Sequence, residues 1–245
     1  ELLEMLGVGP ERWEMATGFP PEAARVERLV VPYDVPTRHP PRALLLQLRS
    51  LVLRRYAEGH QGQTEARSPP GGRRVVVIRR QAEESVRFKR AGNKNFQLEL
   101  GNHNALLAEL QRLHPEHTFV DFRAGGLNVS EQIPIFRHAD VIVGTHGSGL
   151  TNMIWAQPNT TVVELSPLPT GALVGAVKDG VEVTTKLHFR NMATALNLQY
   201  HMISHSCFSG VQKDSMHCTA LVQNLHRCLQ SIDSSRPNSK YSGVV

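Results

Sequence analysis

Apolar positions change their spacing along the 245 residues, and the changes divide the chain. Leu44, Leu48 and Leu51 recur at helical intervals behind Pro41, so Pro41 to Tyr56 predicts a helix. Before it, Glu1 to Arg28 carries a short helical pattern and a turn-rich stretch around Gly18-Phe19-Pro20-Pro21. Val26 to Val31 reads as a strand stopped by Pro32. Residues 58–73 lose apolar periodicity and are rich in Gly, Gln, Ser and Pro, which predicts a loop or linker. From residue 74 onward, short strands alternate with amphipathic stretches. Strands are expected at Arg74–Ile78, Thr118–Asp121, Val141–Val143, Thr161–Leu165 and Tyr200–Ile203. Helices are expected at Asn95–Leu113, Ser130–Phe136, Leu150–Ala156, His188–Leu196 and Leu221–Ile232.

Short, wholly apolar strands separated by helices imply a parallel sheet covered on both faces. Right-handed crossovers then give a doubly wound α/β, Rossmann-like domain. Four segments follow: residues 1–57 as a remnant of, or connection from, an amino-terminal domain; 58–73 as a loop or linker; 74–233 as the Rossmann-like domain; and 234–245 as a loose tail.

Composition narrows the class. An apolar share of 40% and a charged share of 20% are ordinary for a soluble globular chain. No apolar run reaches the roughly 20 residues of a membrane span, and no signal region follows Glu1, so an anchor is expected only outside this chain. The net charge of +5 gathers locally at Arg73-Arg74, Arg79-Arg80 and Arg87-Phe88-Lys89-Arg90. Aromatics amount to only 6% and do not interleave with these clusters, which argues against nucleic acid. Cys207, Cys218 and Cys228 lack zinc-knuckle spacing; in an oxidising lumen two of them can pair. The triplets at Asn128 and Asn159 fit the N-glycosylation pattern and lean toward a secretory compartment.

Chemistry belongs at the carboxyl ends of the strands. Val143 is followed by Gly144-Thr145-His146-Gly147-Ser148-Gly149-Leu150, then by a helix. Glycines let backbone approach a ligand and adopt positive φ, and amides of a helix's first turn favour an anion. His146 and Ser148 add side-chain donors, and a pyrophosphate is the natural guest; the bland alternative is a tight strand-to-helix turn. Arg79 and Arg80 fall at the same edge, either neutralising a diphosphate or forming a solvated basic pair. Glu164, inside an apolar strand end, is expected at ribose hydroxyls or in a salt bridge. Asp140 and Glu131 read as structural, with Ser130 as a helix cap. No Asp-x-Asp pair is present, so no metal site is expected.

These residues carry a resemblance. The run Ser130-Glu131-Gln132-Ile133, Phe136-Arg137-His138-Ala139-Asp140-Val141-Ile142-Val143-Gly144, then His146-Gly147-Ser148-Gly149-Leu150-Thr151-Asn152, closely resembles the signature of glycosyltransferase family 61. Val162-Val163-Glu164-Leu165 and Val75-Val76-Val77-Ile78-Arg79-Arg80 continue it, with Arg79 where serine is usual and Ser148 where alanine is commoner. The resemblance implies the donor half of a two-domain GT-B transferase, inverting and metal-independent. Its substrates would be a UDP-sugar donor and a glycan, polysaccharide or protein acceptor, with no cofactor. It also implies donor contacts from Arg80, Gly144, His146, Gly147, Ser148, Gly149, Leu150 and Glu164, and a Golgi or endoplasmic reticulum lumen. The catalytic base stays unassigned, with His146 a candidate, or lies in an amino-terminal half outside this chain. Rival readings are an inactive nucleotide-sugar-binding module and a serine hydrolase using Ser148. The hydrolase is weakened because His146 and Leu150 stand where a nucleophile elbow needs glycine. A generic NAD-binding protein is weakened by the lack of Gly-x-Gly-x-x-Gly after the first strand.

Overall fold

Residues 42–60, 71–79, 103–166, 177–178, 181–182, 188–205, 207 and 216–235 are described by the computed structural model. Five strands form one sheet: β1 (Arg74–Ile78), β2 (Thr118–Phe122), β3 (Val141–Thr145), β4 (Thr161–Ser166) and β5 (Gln199–Ser204). Their spatial order is β2-β1-β3-β4-β5, and every neighbouring pair is parallel. The helices are α1 (Arg42–Gly59), α2 (His103–Leu113), α3 (Val129–Arg137), α4 (His188–Ala195) and α5 (Met216–Ser234). A 3-10 helix, Ser148–Trp155, follows β3, and Val177–Lys178 pairs antiparallel with Val181–Glu182 apart from the main sheet. The fold is the expected doubly wound α/β architecture.

The strands read as continuous apolar runs because both faces are covered. Val76, Ile78, Ile142 and Val162 lie beneath Ile133 and Phe136 of α3, Leu150 and Met153 of the 3-10 helix, and Phe189 of α4. Val75, Val77, Val143, Val163 and Leu165 form the opposite face beneath Leu106 and Leu110 of α2 and Leu221, Leu225 and Leu229 of α5. Each leucine taken fully out of water stabilises the fold by roughly 2 kcal/mol.

Several boundaries differ from expectation for identifiable reasons. In α1 the inward face is Leu45, Leu48, Val52 and Tyr56, whereas Leu44 and Leu51 are exposed. With leucine at 44, 45, 46, 48 and 51, periodicity marks a helix but not its buried stripe. Helix α3 starts after Asn128 rather than Ser130, and the Glu131 carboxylate accepts the Asn128 N–H at 2.7 Å. The segment after β3 is a 3-10 helix that begins inside the glycine-rich loop, with Leu150 N–H bonded to Gly147 O at 3.0 Å. Asp140 is structural as expected: its Oδ2 accepts the Arg74 N–H at 2.8 Å, and its own N–H bonds to Arg74 O at 2.9 Å. The strand read at Val26–Val31, the tail from residue 236 and most of the 58–73 linker lie outside the described residues, although α1 runs through Gly59.

Candidate functional site

The chain leaves β1 toward β2 on one side and returns across it to β3 on the other. The carboxyl ends of β1 and β3 therefore flank the switch point of the sheet, where doubly wound folds bind ligands. Ile78 stands beside Gly144 in the parallel register, so Arg79 and the glycine-rich loop leave the sheet at the same level. Between them lies a cleft of about 120 Å³, lined by Ile78, Arg79, Ala124, Thr145, Gly147, Ser148, Gly149 and Asn152. That is well below the 300–1,000 Å³ of a site for a whole small molecule, and suits an anionic group of phosphate size.

Arg79 is held in place from several sides. Its Nε donates to Asp121 Oδ1 at 3.1 Å and its Nη2 to Asp121 Oδ2 at 2.7 Å, a two-pronged contact that fixes the guanidinium plane. Nη2 also donates to Asn104 Oδ1 at 2.6 Å, and the Arg79 N–H bonds to Phe122 O at 2.8 Å. His103 Nε2 lies 3.0 Å from Asp121 Oδ1. Burial would raise the Asp121 carboxyl, but the Arg79 hydrogen bond and the charges of His103, Arg79 and Arg123 outweigh it and hold the group below its ordinary range. Burial, then the Arg79 charge, pushes His103 down in spite of Asp121. A fixed cation at a strand end is the result. Arg80, the arginine expected at donor phosphates, lies outside the described residues.

The loop glycines are needed for closeness rather than for unusual φ. A Cβ on Gly149 would sit 2.8 Å from Ile78 Cγ2, and one on Gly144 would sit 3.1 Å from both Ile78 Cδ1 and Leu150 Cδ2. Among the described residues the positive-φ glycines are Gly71 and Gly126, neither in this loop. The amides of His146 and Leu150 are bonded to Leu165 O and Gly147 O, both at 3.0 Å. Ser148 and Gly149, which precede that first 3-10 bond, have no carbonyl within the helix to receive their N–H groups. Ser148 lines the cleft, and Leu150 is fully buried in the core.

His146 turns instead toward β4, its ring packing against His188 and Phe189 with centroids 5.0 and 5.2 Å away. Its Nδ1 is bonded to Glu164 Oε1, and the Tyr200 hydroxyl donates to Glu164 Oε2. Glu164 is 0% exposed, so this buried carboxylate ties the loop after β3 to β4 and β5. Burial, then Glu164, drives the Tyr200 phenol well above its usual range, so it stays a donor. Sequence reasoning missed Tyr200, Asp121, His103 and Asn104. A lone acid closing the β2 pattern was the available sign for Asp121; Tyr200 gave none. Asn128 and Asn159 are both exposed, Asn159 with φ 67°.

The family described as Glycosyltransferase 61 matches residues 4–163. A Beta-1,2-xylosyltransferase from Arabidopsis thaliana is 28% identical over 106 residues. That alignment takes in 43% of this chain but only 16% of the relative's length. Among solved structures, a P. pentosaceus protein titled NADPH-quinone reductase aligns over 67% of this chain and 99% of its own, at 9% identity and a TM-score of 0.39.

Proposed function

This chain belongs to glycosyltransferase family 61, and we propose that its switch-point cleft holds the diphosphate of a UDP-sugar. In this reading the sugar passes, with inversion and without a metal, to a hydroxyl of a glycan, polysaccharide or protein. One observation carries the reading: Arg79 and the Gly147–Gly149 segment converge on a single phosphate-sized cleft. As the glycosidic bond breaks, negative charge gathers on the departing diphosphate. A guanidinium already locked by Asp121, beside loop amides that no carbonyl within the helix receives, stabilises that charge without reorganising.

Uridine and sugar extend beyond the cleft, as its volume requires. Glu164 then serves as the partner of His146 rather than as a ribose ligand. With Nδ1 protonated toward Glu164, the basic atom of the ring is Nε2, which makes His146 the candidate to deprotonate the acceptor hydroxyl. The whole protein is expected to work in the Golgi or endoplasmic reticulum lumen, with no cofactor. The Cys207–Cys218 disulfide and the exposed Asn128 and Asn159 support that placement. Among the described residues, no helix is long and apolar enough to cross a membrane.

A thermal-shift panel of UDP, UDP-xylose, UDP-N-acetylglucosamine, UDP-arabinose, GDP-sugars and NAD tests the reading. Uridine diphosphates at a hundredfold excess over Kd should stabilise by about 2.7 kcal/mol and raise Tm by roughly 5–10 °C. A response to NAD with none to UDP would overturn it.

A further inference from the structure

We infer that a tight turn at the opposite, amino-terminal edge of the sheet is a binding site for a zinc-class divalent cation. Helix α2 is followed by His114-Pro115-Glu116-His117, closed as a turn by His117 N–H to His114 O at 3.1 Å, and β2 begins at the next residue. Ligand-capable atoms of His114, Glu116, His117 and Asp233 all lie within 4.8 Å of one another. Both histidine side chains are almost wholly buried, at 4% and 1% exposure. His117 Nδ1 makes no hydrogen bond although it is buried, and it lies 3.6 Å from Glu116 Oε1. A buried nitrogen without a partner costs free energy unless something occupies its lone pair.

The surrounding bonds set the ring orientations a metal needs. His226, on α5, places Nδ1 3.0 Å from His114 Nε2, and Asp233, seven residues further along α5, places Oδ2 3.1 Å from His117 Nε2. If each Nε2 carries the proton in these contacts, both Nδ1 lone pairs turn toward Glu116. Carboxylate and imidazole partners behind metal-binding histidines act in this way. Glu116 Oε1 is 3.4 Å from His114 Nδ1, long for a hydrogen bond. Distances of 3.4 and 3.6 Å are close to the edge of about 3.3–3.5 Å that separates ligands around tetrahedral zinc. Arg73 binds the other Asp233 oxygen at 2.6 Å, which neutralises that carboxylate outside the ligand set. Two imidazoles and one carboxylate would thus hold the ion, with water completing the tetrahedron. The ion would pin the α2–β2 turn against α5, remote from the transfer site.

The test is titration of the chelator-treated chain with Co²⁺, read by tetrahedral ligand-field absorption, followed by displacement with Zn²⁺. Saturation at one ion per chain, with a rise in Tm on adding Zn²⁺, is expected. Glu116→Gln, at a half-exposed position that should not disturb folding, should remove the absorption, and Asp233→Asn should weaken binding about 10- to 100-fold. His201→Asn, at an exposed histidine elsewhere, should change neither. Lack of saturable uptake, or unchanged uptake in Glu116→Gln, would overturn the assignment.

Discussion

Glu164→Gln probes the buried link between the fold and the site. In the native chain two carboxylate oxygens, fully withdrawn from water, meet two donors, His146 Nδ1–H and the Tyr200 hydroxyl. The amide keeps the shape but turns one acceptor into a donor. One bond is lost, and two donors face each other without solvent. An unsatisfied buried group costs about 1–3 kcal/mol, and bonds to a charged partner run toward the upper end. A loss of about 2–3 kcal/mol is expected, which for a chain of this size lowers Tm by roughly 4–12 °C. Tyr200→Phe removes the other half of one bond and should cost about 1–3 kcal/mol by itself. Urea denaturation followed by circular dichroism at pH 7 gives all three variants of the cycle. The double variant should be less destabilised than the sum of the singles by about 1 kcal/mol or more. If the two effects simply add, to within about 0.5 kcal/mol, the proposed Tyr200–Glu164 bond contributes nothing and the reasoning fails.

Three further perturbations test other parts of the account. Gly149→Ala places a methyl 2.8 Å from Ile78 Cγ2, so the loop or the Ile78 side chain should shift. The cost should be about 1–3 kcal/mol of stability, and calorimetry should show UDP affinity falling at least about tenfold. Asp121→Asn removes the charge that fixes Arg79, and UDP affinity should again fall about tenfold, read in the same titration. Burial holds His205 down to about 4 from 6.5, so the unfolded chain takes up a proton that the folded chain refuses. Stability from this residue is therefore complete above pH 6.5 and is lost as pH falls toward 4, by up to about 3 kcal/mol. His205→Leu should flatten that part of the stability curve in urea titrations between pH 4 and 7.

The sheet was readable because buried parallel strands are apolar throughout: Val75–Ile78, Val141–Val143 and Val162–Val163 cannot serve any other element economically. Glycines at 144, 147 and 149 marked the loop through their freedom of close approach, and a Cβ would indeed sit 2.8 Å from Ile78 at 149 and 3.1 Å from Ile78 and Leu150 at 144. What remained hidden depends on pairings between residues distant in sequence. Asp121 finds Arg79 from 42 positions away, and Tyr200 finds Glu164 from 36. Nothing in the neighbourhood of Asp121 or Tyr200 announces its partner, because strand order and register bring the partners together. The buried face of α1 was obscured differently, by leucines on more sides of the helix than the core could accept.

Isothermal titration of this chain with UDP, UMP and uridine in parallel addresses the phosphate cleft most directly. Affinity should step up with each phosphate, and uridine alone should bind weakly or not at all. Uridine binding as tightly as UDP would contradict the assignment of Arg79 and the Gly147–Gly149 segment to the diphosphate.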